Sequence, residues 1–140
     1  MTAAGSFASA LKAEDANVLF SEILSGIAKE CMKEGALMIG HIKANVRSGG
    51  EMLSLSCTTG DGNVRPRSSF TKDVRNYSMT MNVIVYGTER RRTAEIAVSN
   101  IKKALGSVIT EVYSEAGCED PGCDDPMCRN EDHKRIIDIR

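Results

Sequence analysis

Tryptophan is absent from this chain of 140 residues, and Phe and Tyr contribute only three each. With so few rings, the core is expected to be aliphatic, with Met filling irregular gaps. Proline is as scarce, at three residues, and two of them, Pro121 and Pro126, fall late in the chain. No window approaches the roughly 18 apolar residues a membrane span needs. The first residues, Met1 to Ala13, lack a charged n-region followed by an apolar core, which argues against a signal peptide. The sequence therefore reads as a soluble, cytoplasmic protein with no membrane partner.

Recognisable catalytic motifs are also missing. Gly60-Asp61-Gly62 is not followed by Gly-Lys-Ser/Thr, so there is no P-loop. There is no H-E-x-x-H and no nucleophile elbow. The expectation is a protein that is not an enzyme.

No charge of one sign dominates, since the formal net charge is −1. That total hides an asymmetry of about −2 in residues 1–40, +6 in 41–110 and −5 in 111–140. A basic body carries an acidic tail. The basic residues Arg65, Arg67, Lys72, Arg75 and Arg90 to Arg92 raise nucleic acid as a partner. They have no interleaved aromatics and no RNA or DNA motif, so that reading is disfavoured. A solvated charged surface is the commonest outcome. The acidic tail could also fold back on this body, or on that of a second copy.

What is present begins with 41% hydrophobic content, enough for one compact domain. Residues 1–13, rich in Ala and Ser, read as a flexible leader. From Asp15, a suitable N-cap, apolar residues recur at three- and four-residue steps: Ala16, Leu19, Phe20, Ile23, Leu24, Ile27, Ala28, Cys31 and Met32. Gly35 stands where a left-handed residue would end such a helix. Cys31 lies on the stripe, which makes it a buried small hydrophobe.

The period then changes to two. Met38, Gly40, Ile42, Ala44 and Val46 are expected inward; Ile39, His41, Lys43, Asn45 and Arg47 are expected outward. Ser48-Gly49-Gly50 supplies a hairpin turn, and Leu53, Leu55 and Cys57 face in from the next strand. The antiparallel pair is 37–47 with 52–59. Residues 60–76 read as a long polar loop. Tyr77 to Tyr86 form a third strand with Met79, Met81, Val83 and Val85 on one face. A second helix is expected over about 91–114, with Ala94, Ala97, Ile101, Ala104, Leu105, Val108 and Val112 as its stripe. A fourth short strand could come from Ile136 to Ile139.

The predicted architecture is α+β in the order α-β-β-β-α. Two helices cover one face of a three- or four-stranded, mainly antiparallel sheet. The domain spans 14–114, and an acidic tail spans 115–140.

That tail contains the chemistry. Cys118, Cys123, Cys128 and His133 recur every five residues, and the first two units share a C-[ED]-D-P-x pattern. Three thiols and one imidazole complete a tetrahedral set for zinc. Extended chain would hold successive sulfurs about 16 Å apart, so Pro121 and Pro126, which prevent helix and bend the chain, help them converge. The even spacing leaves a looser ring than a zinc knuckle and a weaker, exchangeable site. Glu119, Asp120, Asp124, Asp125, Glu131 and Asp132 attract a cation but oppose thiolate formation until metal arrives. Three thiolates with a fourth ligand other than Cys also suit an iron–sulfur cluster. Two other readings stay open: a disordered or redox-active tail without metal, and an intrachain disulfide. His41, the other histidine, reads as a surface or interface residue, or as an extra ligand if the tail approaches it.

The stretch Ile39-Gly40-His41-Ile42-Lys43-Ala44, then a hairpin and a Ser/Thr-rich strand, then Asn82-Val83-Ile84-Val85-Tyr86-Gly87, resembles an accessory domain of CobW-type metal-chaperone GTPases. The resemblance covers residues 36–87. The sequence contains no GTPase domain, so what the resemblance implies is a role in metal or corrinoid delivery, without nucleotide chemistry. The function expected is therefore a metal-binding accessory or chaperone-type protein that docks a protein partner. The alternative is a homodimeric interaction module. It would pair through a partly apolar sheet face (Leu37, Ile39, Ile84 and Tyr86), and its tail would carry no metal.

Overall fold

A computed structural model describes residues 1–106, together with the backbone of 109–113 and 136–137. The elements run β1 (Thr2–Leu11), α1 (Ala13–Lys33), β2 (Met38–Ser48), β3 (Glu51–Cys57), β4 (Val64–Ser68), β5 (Val74–Tyr86), α2 (Arg90–Leu105), β6 (Ile109–Tyr113) and β7 (Ile136–Ile137). One sheet holds all seven strands in the order β4-β3-β2-β5-β1-β6-β7, and each neighbouring pair is antiparallel.

The order β-α-β-β-β-β-α at the heart of this chain corrects the expected α-β-β-β-α, and the sheet is wider than three or four strands. Three segments account for the difference. Residues expected as a leader form β1, which inserts between β5 and β6. The expected loop 60–76 contains β4 and the start of β5. The second helix stops at Leu105, with Gly106 at its C-cap, and 109–113 become a strand on β1.

The helices do not share the sheet evenly. α1 lies against β2, β3, β4 and β5, whereas α2 packs chiefly on α1 and reaches the sheet at β5 and β6. Because β5 sits between β1 and β2, and β1 between β5 and β6, the crossovers through α1 and α2 make two interlocked split β-α-β units. The β3–β4 extension widens one side.

Local chemistry explains the elements that were foreseen. Gly49 and Gly50 have φ of 55° and 81°, the two left-handed positions of a type I′ hairpin turn. Ser48 therefore pairs with Glu51, Val46 with Leu53 and Ala44 with Leu55. At the end of α1, Gly35 has φ of 97°, its N–H donates to Met32 O, and the Ala36 N–H donates to Cys31 O at 3.0 Å. This is the paired bonding of a Schellman cap. The start of α1 differs from expectation, because Lys12 occupies the N-cap without a side-chain hydrogen bond and Asp15 lies in the first turn.

The core forms under the helices from Ile23, Leu24, Ile27, Ile42, Val46, Leu53, Met79, Met81, Ile96 and Ile101, all at most 2% exposed. It is less purely aliphatic than the composition suggests. Phe20 packs against Tyr77 (ring centroids 5.4 Å) and Phe70 (6.5 Å), and Tyr77 packs against Phe7 (5.2 Å). Four of the six Phe and Tyr residues thus join one cluster from β1, α1, β5 and the segment before β5. Asn17 clamps that segment: its Nδ2 donates to Phe70 O at 3.2 Å, and its Oδ1 accepts the Phe70 N–H at 3.0 Å. Glu51 holds the next turn by accepting the Thr71 and Lys72 N–H groups and the Thr71 hydroxyl. The Thr71 hydroxyl bond leads the effects that keep the Glu51 carboxyl below its ordinary pKa.

Candidate functional site

Cys118, Cys123, Cys128 and His133 lie outside the described residues. What the structure does place are the two ends of the chain that carries them. β6 and β7 pair antiparallel, Val112 with Ile137 and Tyr113 with Ile136. Tyr113 and Ile136, which flank the segment carrying all four residues in the sequence, are therefore neighbours in the sheet. β6 is held in turn by β1, through Thr2 opposite Tyr113. The short strand expected at the C-terminus appears here as β7.

The two described cysteines have a different character. Cys31 and Cys57 are buried and free. Burial, reinforced by the Glu30 and Glu34 carboxylates, pushes the Cys31 thiol up to about 11. Burial also raises the Cys57 thiol, whose Sγ donates to Thr59 O at 3.4 Å. Neither offers a thiolate near neutral pH, which fits the reading of Cys31 as a small core hydrophobe. Among the described residues no group of three His, Cys, Asp or Glu side chains stands close enough to hold a metal ion.

His41 sits at an irregularity in β2. The pairing with β5 slips between Ile39 and His41, so that Ile39 opposes Val85 and His41 opposes Ile84. This bulge at Gly40 reverses the expected phase of the first residues of the strand. Ile39 turns inward (3% exposed) and Met38 outward (55%). The expected outer apolar group of Leu37, Ile39, Ile84 and Tyr86 therefore loses Ile39. Leu37, at 79% exposed, bonds through its N–H to Tyr86 O at 2.8 Å, and Met38 opposes Tyr86. Leu37, Met38 and Tyr86 make an exposed apolar corner where β2 begins and β5 ends.

The basic residues divide by location. Arg92 forks onto Glu34, with Nη2 to Oε1 at 2.6 Å and Nε to Oε2 at 3.3 Å, and its Nη1 donates to Glu95 at 3.2 Å. Arg91 also faces Glu95, at 3.6 Å. Those two arginines of the run are thus tied to carboxylates. Arg65 and Arg67 instead stand on β4, at the rim of a depression of about 680 Å³ that Lys43 also lines. Nothing in the linear order groups Lys43 with them, since β3 has to pair with both β2 and β4 before they meet. The signal available was the outward position of Lys43 in the period-two pattern.

No helix among the described residues is long and apolar enough to cross a membrane. Compared with protein-family models, curated proteins and solved structures, the chain matches none.

Proposed function

We propose that this protein is a non-catalytic, metal-binding accessory or chaperone-type protein of the cytoplasm, in which Cys118, Cys123, Cys128 and His133 hold a soft divalent ion, zinc first. The observation that carries this reading is the five-residue beat of three thiols and an imidazole. The donor set fits the ion: four N/S ligands complete a tetrahedral site, each binding in its deprotonated form.

The backbone topology supports the reading in one respect. A ring with four residues between successive ligands is entropically costly to close. The pairing of Tyr113 with Ile136 anchors both ends of the segment that contains all four ligands, so part of that cost is met by the sheet. The resemblance of residues 36–87 to an accessory domain of metal-chaperone GTPases points the same way. The sheet and helices would then form the body that docks a protein partner.

Elemental analysis of reduced, tag-free protein tests the proposal. About one zinc per chain is expected, lost when Cys118, Cys123 and Cys128 are all changed to Ser, while the thermal transition of the body persists. Protein that neither retains nor takes up a transition metal would end this reading.

A second reading, a homodimeric interaction module, is favoured by the exposed corner of Leu37, Met38 and Tyr86. Light scattering of the full chain at rising concentration should then give a dimer that Leu37→Glu with Tyr86→Glu converts to monomer. A monomeric wild-type chain would remove it.

A further inference from the structure

The outer face of the sheet carries a charge distribution that the metal reading does not use. Across β1 to β5 the only carboxylate is Glu51, and it is committed to Thr71 and Lys72. The same strands place Lys43, Arg65 and Arg67 around one depression together with Asn45, Ser54 and Ser56. Among the described residues, none of these three cations makes an ion pair.

Register defines the arrangement. Lys43 opposes Ser56, and Ser56 opposes Arg65, so a cation, a hydroxyl and a cation lie in one row. With strands about 4.8 Å apart, the two flanking Cα atoms are about 10 Å from each other. That gap lets an ammonium and a guanidinium converge on one group seated over Ser56. In the next row, Asn45 opposes Ser54, and the Ser54 hydroxyl donates to Asn45 Oδ1 at 2.8 Å. This fixes the carboxamide oxygen toward β3 and leaves its NH2 group as a donor to the depression.

β4 is shaped to the same end. Its pairing with β3 steps from Pro66 opposite Leu55 to Ser68 opposite Ser54, leaving Arg67 as an extra, bulged residue. Ser68 fastens the bulge, accepting the Ser54 N–H at 3.1 Å and donating to Met52 O at 2.7 Å. Arg65 and Arg67 both line the depression, on either side of Pro66. Arginine on an edge strand also discourages pairing with another sheet, but that role does not require Lys43, Ser56 and Asn45 to face the same hollow.

We propose that this depression binds a discrete, multiply charged phosphoanion, a diphosphate group. Lys43 and Arg65 clamp one phosphoryl group, and Arg67 with the Asn45 amide takes the next. Forked guanidinium donors suit phosphate oxygens, and a second phosphoryl group matches the third cation. A nucleic acid is the poorer occupant, because none of the residues lining this depression carries an aromatic ring for bases to stack on.

The test uses the full-length, reduced chain, ¹⁵N-labelled and titrated with inorganic pyrophosphate at constant ionic strength. Saturable amide shifts confined to Lys43, Asn45, Ser54, Ser56, Arg65 and Arg67 are expected. Arg65→Ala with Arg67→Ala should weaken binding at least tenfold, and Ser56→Ala alone by a few fold, with unchanged thermal transitions. A parallel titration uses a mixed-sequence single-stranded oligonucleotide at equal phosphate concentration. Tighter binding of the oligonucleotide, with shifts spread over the face, would overturn the assignment in favour of a polymer. Shifts that do not saturate, or that centre on Arg90 to Arg92, or that survive the double variant, would overturn it as unspecific charge attraction.

Discussion

The strands of this protein have two faces built on opposite chemistry. Toward the helices, β2 turns Ile42, Ala44 and Val46, and β5 turns Tyr77, Met79 and Met81, all nearly inaccessible to solvent. Toward solvent, the intervening residues are Lys43, Asn45 and Arg47 on one strand and Ser78, Thr80 and Asn82 on the other, all exposed. Each residue of one kind is bonded covalently to two of the other, so the pleat alone separates them. The lesson is a division of labour: the covered face carries the stability, and the open face, relieved of that duty, is free to carry charge and hydrogen-bond donors.

The largest expected effect tests the first half of that contrast. Phe20 is fully buried and touches the rings of both Phe70 and Tyr77. Phe20→Ala should lower the unfolding free energy by about 3–5 kcal/mol, through lost burial and the cavity left behind. Thr80→Ala, on the open face, should change it by no more than about 0.5 kcal/mol. Urea denaturation of both variants measures the ratio. Comparable losses would mean that the open face is covered in solution.

A middle-sized effect comes from protons on the covered side. The Cys31 thiol is raised to about 11 and the Tyr77 hydroxyl to about 12, both chiefly by burial. Between about pH 9 and 11 the unfolded chain has released the Cys31 proton while the folded chain keeps it. Stability is therefore undiminished below pH 9 and falls as pH rises through that window, with Tyr77 extending the fall. Thermal melts across pH 8 to 11 should show the decline, and Cys31→Ala should make its first part shallower. An unchanged slope would mean that Cys31 is open to water.

The smallest effect belongs to the surface. Arg92, by its hydrogen bonds and charge, holds the Glu34 carboxyl below its ordinary pKa. The stabilisation is present above about pH 4.5 and is lost as pH falls through the depressed value. Arg92→Ala should flatten the acid limb slightly, and 1 M salt should mimic it in the wild type, because both partners are exposed to water. A shift as large as that of Phe20→Ala would contradict the view of this pair as a minor contributor.

Some parts of the fold could be read directly from the sequence. The β2–β3 hairpin was one, because Gly49-Gly50 and strict alternation both act over a few residues. The end of α1 was another, since Gly35 relieves a local steric problem. β1 was not legible. Thr2 to Leu11 is mostly Ala, Ser and Gly, with little strand preference of its own, and it becomes a strand because β5 and β6 flank it. β4 was hidden by Arg65, Pro66 and Arg67, residues suited to an edge strand and equally to a loop. The stripe of α2 ran on into Val108 and Val112 because period alone cannot show where β-branched residues leave a helix for a sheet.

By itself, then, the sequence determined the local quantities: turn positions, one helix cap, inward residues of regular strands, and the Cys/His beat of the C-terminal segment. Only the tertiary structure decided which distant residues became neighbours. It gathered Phe7, Phe20, Phe70 and Tyr77 into one cluster, and it brought Lys43 to Arg65 across β3. The physical reason is range. Steric preference and periodicity act within a few residues, whereas pairing partners compete across the whole chain and are settled only when the core is buried.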